Sequence, residues 1–164
     1  MGFSGRSRKP QMELAERLHI KEYPSPAGGC LLTDETFSRR FKDLLNARPD
    51  FEPREIELLK VGRHFRLHPN TKLVVGRNKK ENQTIHTLWE ESDLLLSTIS
   101  VPGPTVLVSG DVSPELAELA ASMTASYSDS KEGELTEISL KGQGMNEVRV
   151  VKGRDKGEFR DYMI

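Results

Sequence analysis

The chain of 164 residues is poor in cysteine, in aromatic side chains and in long apolar runs, and each shortage closes off a class of protein. One cysteine, Cys30, excludes an internal disulfide framework and a thiolate-rich zinc site, and fits a reducing compartment. Nowhere does an apolar run approach the roughly 20 residues of a membrane-spanning helix. The start carries arginines but no apolar stretch of the kind a secretory signal needs. A cytoplasmic protein with no membrane partner is therefore expected. His19, His64, His68 and His86 lack a thiolate or paired carboxylate to complete a ligand set, so no metal site is expected. Neither Cys-x-x-Cys nor the phosphate-cradling Gly-x-x-x-x-Gly-Lys-Ser/Thr is present, and no Ser-His-Asp arrangement stands out.

What is present begins with charge. A net charge of -1 conceals a polarised chain: residues 1–80 hold 17 Lys or Arg against 10 Asp or Glu, whereas residues 81–137 hold 11 acids against the single base Lys131. Such a chain can turn a basic face to phosphate while its acidic half stays in solvent. Solvated charges that happen to cluster would give the same counts.

Hydrophobic residues at 35% and charged residues at 30% suit one modest core with length left for loops and tails. Met12, Leu14, Ala15 and Leu18 share a helical face behind Pro10, and Pro24 and Pro26 end that segment. Thr33 or Asp34 is a good N-cap for a helix that aligns Phe37, Phe41, Leu44 and Leu45. After Pro49 and Pro53 the pattern changes, which places a domain border there. A short helix over 55–61 is closed by Gly62. Strands at 64–67 and 72–75 flank the turn His68-Pro69-Asn70-Thr71. Asn78 caps a polar helix through Ile85, Leu88 and Trp89, and strands follow at 93–98 and 105–108. Ser113-Pro114-Glu115 opens a long helix that buries Leu116, Leu119, Ala120, Met123 and Tyr127. Two alternating strands near 135–140 and 146–151 finish the domain, leaving a charged tail over 154–164 that is expected to fray. Strands and helices without regular βαβ alternation predict an α+β fold: a helical N-terminal segment followed by a small mixed sheet packed with helices.

Two clusters carry candidate chemistry. Cys30 follows Gly28-Gly29 and precedes a helix start, where amides and the helix dipole favour a thiolate; a free cysteine is equally at home as a small core residue. Arg63, His64, Arg66, Lys72, Arg77, Lys79 and Lys80 form the densest basic cluster. Strand alternation would put His64 and Arg66 opposite Phe65 and Leu67, turning a cationic face to solvent where a phosphate backbone could lie.

The stretch Arg6-Ser7-Arg8-Lys9-Pro10 through Ile20, followed by Gly28-Gly29-Cys30, resembles the end of the ATP-binding domain of PP-loop tRNA thiouridylases. Leu31-Leu32-Thr33-Asp34 departs from the 2-thiouridylase pattern. A second set of segments, Asp93-Leu94-Leu95-Leu96, Pro102-Gly103-Pro104-Thr105-Val106-Leu107-Val108, Ala120-Ala121 and Tyr127-Ser128, resembles the RNA-binding module of NFACT proteins, without the aromatic and histidine residues expected after Asp93. Together the resemblances imply that residues 1–52 close a PP-loop catalytic domain, residues 53–153 form the RNA-binding module, and residues 154–164 are a tail. In the intact enzyme they imply ATP with Mg as cofactor, tRNA as substrate, a sulfur-donor protein as partner and Cys30 as sulfur carrier. This chain lacks the Ser-Gly-Gly-x-Asp-Ser tract, holds no cofactor of its own and is not expected to act alone; a C-terminal piece of a longer enzyme is the simplest expectation. Two other readings stay open: a non-catalytic RNA-binding adaptor related to ribosome quality control, with Cys30 incidental, and a protein-interaction domain using the acidic half.

Overall fold

In the computed structural model the described residues are Arg17 and residues 30–164 apart from Glu132. The expected helix over residues 10–20 otherwise lies outside them, as do Gly28 and Gly29. From Leu31 the chain makes one 3-10 turn and enters α1 (Glu35–Ala47). Asp34 caps that helix, its carboxylate accepting the Phe37 N–H at 2.7 Å, so one of the four amides left open at a helix start is satisfied by the residue that precedes it. Helix α2 (Pro53–Leu59) begins on proline, where the missing N–H costs nothing. It ends before Gly62, whose φ of +77° suits glycine.

A hairpin of β1 (Arg63–His68) and β2 (Thr71–Val75) follows, then α3 (Lys79–Leu88), β3 (Leu94–Thr98) and β4 (Thr105–Gly110). Helix α4 (Pro114–Ser126), the hairpin of β5 (Leu135–Gly142) and β6 (Met145–Lys152), and a 3-10 segment over Lys156–Tyr162 complete the chain. Asn78 and Ser113 cap α3 and α4 through the Glu81 and Leu116 amides, at 3.0 and 3.3 Å. The six strands form one sheet in the order β1-β2-β4-β3-β5-β6, every neighbour antiparallel. The fold is α+β.

Alternation divides the strand side chains between two faces. Phe65, Leu73, Val75, Leu94, Leu96, Val106, Val108, Ile138 and Leu140 point to one, where the small residues Ala117, Ala120 and Ala121 let α4 lie close. Val74, Leu95 and Leu107 point to the other and meet Leu58 and Ile85 of α2 and α3. Phe37 and Leu44 of α1 then pack on Leu59 as an outer layer. Helices therefore lie on both faces of the sheet, α4 against β3, β4, β5 and β6 on one and α3 against β4 on the other.

Two expectations change here. The His64 and Arg66 face of the hairpin does not meet solvent, because α1 and α2 lie on it: His64 is 1% exposed, and Arg66 is held by both oxygens of Asp43, at 3.1 and 2.5 Å. Alternation separates the two faces of a strand but cannot say what lies over either. The segment 154–164 is docked rather than frayed. Phe159 is 1% exposed within the α4-side core, Met163 bridges to Phe65, and the Ile164 amide donates to the His64 carbonyl at 3.0 Å. Among the described residues no helix is long and apolar enough to cross a membrane, and no three His, Cys, Asp or Glu side chains gather as metal ligands.

Candidate nucleic-acid interface

Antiparallel pairing brings one set of strand ends together: the start of β1, the end of β2 and the start of β4. The C-terminus of α4, the N-terminus of α3 and the C-terminal 3-10 segment converge on the same end. They enclose a cleft of about 480 Å³ lined by Arg63, Arg77, Lys79 and Lys156, with Tyr127, Asn78, Asn82, Asp129 and the loop Pro102–Pro104.

Tyr127 stands at the centre, half-buried at the C-terminal cap of α4. Its ring meets Phe65 and Phe159 at centroid distances of 6.1 and 6.4 Å, which fixes it to the core. On its solvent side the Arg63 guanidinium and the Lys156 ammonium lie 5.2 and 5.4 Å from the ring centre, within cation–π range. Burial raises the Tyr127 pKa, and the Arg63 charge offsets part of that rise. Arg63, Lys79 and Lys156 form no ion pair among the described residues, and Asp129 is the one carboxylate among the residues that line the cleft with them.

Arg77 is held differently. Glu81, one turn into α3, receives the Arg77 Nη2–H at 2.6 Å and also the amides of Arg77 and Gly62 at 2.9 and 3.2 Å. These hydrogen bonds, that from Arg77 first, hold the Glu81 carboxyl below its ordinary range and raise the Arg77 pKa. The opposite wall is latched by Asn82, which accepts the Thr105 N–H at 3.0 Å and donates to the Gly103 carbonyl at 3.3 Å. A Cβ at Gly76 would run into the Asn82 amide oxygen, so a side chain where β2 leaves the sheet would displace this latch. Lys156 also borders a second hollow of about 270 Å³, with Ser126, Ser128, Ser130, Lys131, Gly153 and Arg154, that extends the basic end of the sheet.

Of the seven basic residues singled out in the sequence, Arg63, Arg77 and Lys79 line this cleft, and Lys80 is exposed beside it on α3. His64, Arg66 and Lys72 do not belong to it, since they point to the other sheet face beneath α1 and α2. Burial and the nearby Lys72 and Arg40 charges push the His64 pKa well down, which keeps the ring neutral. Sequence reasoning missed Lys156 and Tyr127 as partners. Their signal lay in Phe159, Tyr162 and Met163, apolar residues in a segment otherwise charged enough to pass for a tail. Cys30 is exposed just before the three-residue turn Leu31–Thr33 that leads to α1, and Asp34, not the thiol, occupies the α1 cap.

The family model of the NFACT protein RNA binding domain matches residues 62–163, a span that takes in all six strands, Tyr127 and Lys156. The chain belongs to the NFACT RNA-binding domain family. RNA is thereby its partner class. Among solved structures, the C-terminal part of the fibronectin/fibrinogen-binding protein from Streptococcus suis is similar in fold, with a TM-score of 0.53 at 15% identity over 82% of this chain. The chain spans 64% of that structure's length. No curated protein matches the chain. Nothing in these comparisons supports a PP-loop thiouridylase, and the family match begins only at Gly62, beyond Cys30 and α1.

Proposed function

We propose that this chain is a non-catalytic RNA-binding adaptor that grips the sugar-phosphate backbone of structured RNA, tRNA included, at the cationic end of its sheet. The convergence of Arg63, Lys79 and Lys156 around Tyr127, three cations without a carboxylate partner among the described residues, carries this reading. A half-buried ring under two cations orients them at low entropic cost and leaves their N–H groups directed at solvent. Such a surface meets phosphate and sugar, which set position rather than sequence. The family membership supports RNA as the partner. The cleft has no nucleophile with an adjacent base, and the adaptor reading needs no thiol, so Cys30→Ser leaves RNA affinity unchanged.

Fluorescence anisotropy with a labelled tRNA tests the reading. The triple variant Arg63→Glu, Lys79→Glu, Lys156→Glu is expected to lose binding by about 100-fold or more at low salt. Each lost phosphate contact should reduce the slope of log affinity against log salt by about 0.7 to 0.9. Arg66→Gln, on the helix-covered face, serves as the control and should change affinity less than about twofold. Equal binding by the triple variant and the wild type would refute the interface.

A further inference from the structure

At the other end of the same strands lies a second enclosed site, of different character. The turn between β1 and β2, the end of β4 and the undersides of α1 and α2 surround a cavity of about 280 Å³. Its floor is apolar, made by Leu44, Leu58 and Val74, and its polar lining includes Lys72, Arg66 and Glu55. Two of these three polar groups already have partners. The Glu55 carboxylate accepts the Glu52 amide at 2.9 Å and faces Arg48 at 3.5 Å, while Arg66 is spent on both oxygens of Asp43. Lys72 is the exception. Its side chain is 13% exposed, it donates no hydrogen bond among the described residues, and the nearest carboxylate oxygen is that of Asp43 at 3.9 Å, already claimed by Arg66.

A largely buried lysine whose ammonium is open only through the cavity mouth, with no protein partner at hydrogen-bond distance among the described residues and an apolar floor beneath it, is placed to meet an anion there, because a partly desolvated charge gains from a partner. We propose that this cavity is a ligand site for a small organic anion, a carboxylate or phosphate ester carried on a compact apolar body, with the Lys72 ammonium as its charge partner and Leu44, Leu58 and Val74 as its apolar seat. The volume suits a body of about one aromatic ring, below the usual range for drug-sized ligands. Two carboxylates share the lining and each has a partner, Glu55 in the Glu52 amide and Arg48, Asp111 in the Asn70 side-chain amide at 3.4 Å. Burial lowers the Lys72 pKa to about 8, the Asp43 charge opposing and the Arg66 and Arg40 charges adding to the shift, so an incoming anion would supply compensation that the protein leaves incomplete. The site shares no lining residue with the cleft around Tyr127 and stands independently of the RNA reading.

Nuclear magnetic resonance of the full chain, with labelled lysine Cε and labelled Leu and Val methyls, tests this with benzoate, phenyl phosphate and the neutral isostere benzamide as probes. Benzoate, phenyl phosphate or both should shift the methyl signals of Leu44, Leu58 and Val74 saturably. The same anion should raise the Lys72 titration midpoint by about one unit, the mark of a tenfold preference for the protonated amine. Lys72→Met keeps the chain's bulk and should abolish the response, and Ser109→Phe, which fills the cavity from β4, should abolish it with Lys72 still in place. Both variants should bind tRNA as the wild type does. The proposal is overturned if neither anion moves Lys72 or the methyls, if benzamide moves the methyls as much as the anions do, or if Lys72→Met still responds.

Discussion

Lys72 and Tyr127 show how the same physics gives a single residue opposite consequences. Lys72 loses hydration under α1 and α2 without gaining a close partner, so its charged form is disfavoured in the folded chain. With a folded pKa of about 8 against an ordinary 10.5, the unfolded chain binds more protons between those values. Stability must therefore rise with pH across that window, with a slope of up to about 1.4 kcal/mol per pH unit, while below pH 8 the full cost of the buried charge is present. Lys72→Met is expected to be more stable than the wild type at pH 7 and to flatten the rise, which urea denaturation from pH 7 to 10 would measure. A wild-type curve without that rise would contradict the burial of this charge. Tyr127 instead gains from its two cations. Its replacement by leucine removes both cation–π contacts, at about 0.5 to 1 kcal/mol each, and should weaken RNA binding by about 5- to 30-fold while Tyr127→Phe costs little. The sequence exposed the helical spacing that buries this ring but not the cations above it, because both approach from distant segments.

Caps and turns made most elements readable in advance. Asp34, Asn78 and Ser113 each accept the amide three residues on, and Pro53 and Pro114 each stand in a first helical turn, where proline is tolerated. Asp34→Ala should accordingly destabilise α1 by about 1 kcal/mol. The last element was not readable, since Lys156–Tyr162 has the composition of a solvated tail, and its anchoring depends on one aromatic residue finding a hole between Tyr127 and α4. Phe159→Ala tests that anchor. It should cost about 3 to 5 kcal/mol, as for a buried aromatic, and should also loosen Lys156 over Tyr127 and so reduce RNA affinity. A loss of less than about 1 kcal/mol in thermal or urea unfolding would mean that the segment contributes no packing. The same segment covers the edge of β1 through Met163 and Ile164, a sheet edge that would otherwise offer unpaired backbone groups to another chain.

For the whole molecule, the excess of basic charge before Lys80 and of acidic charge after it becomes a spatial separation only in part. The topology brings Lys156 from the far end of the chain to Arg63 near its middle, and it buries His64, Arg66 and Lys72 out of the basic cluster to which sequence position assigned them. Half of the cleft was thus legible: a run of like charges reveals a tendency, while pairing order decides which charges share a surface. The acidic groups that remain far from the cleft act on RNA only through the field. Glu91 precedes β3 at the opposite end of the sheet, and Glu115 begins α4, whose 13 residues place it about 20 Å from Tyr127. That separation exceeds the screening length of about 8 Å at 0.15 M salt and falls within the roughly 30 Å at 0.01 M. The double variant Glu91→Gln, Glu115→Gln is therefore expected to bind tRNA within about twofold of the wild type at 0.15 M salt and several-fold more tightly at 0.01 M. Stopped-flow anisotropy should assign the low-salt gain to faster association, since long-range attraction acts on encounter more than on the bound complex. A gain that persists undiminished at 0.15 M would show instead that these carboxylates lie against the RNA, and would move the interface away from the Tyr127 end of the sheet.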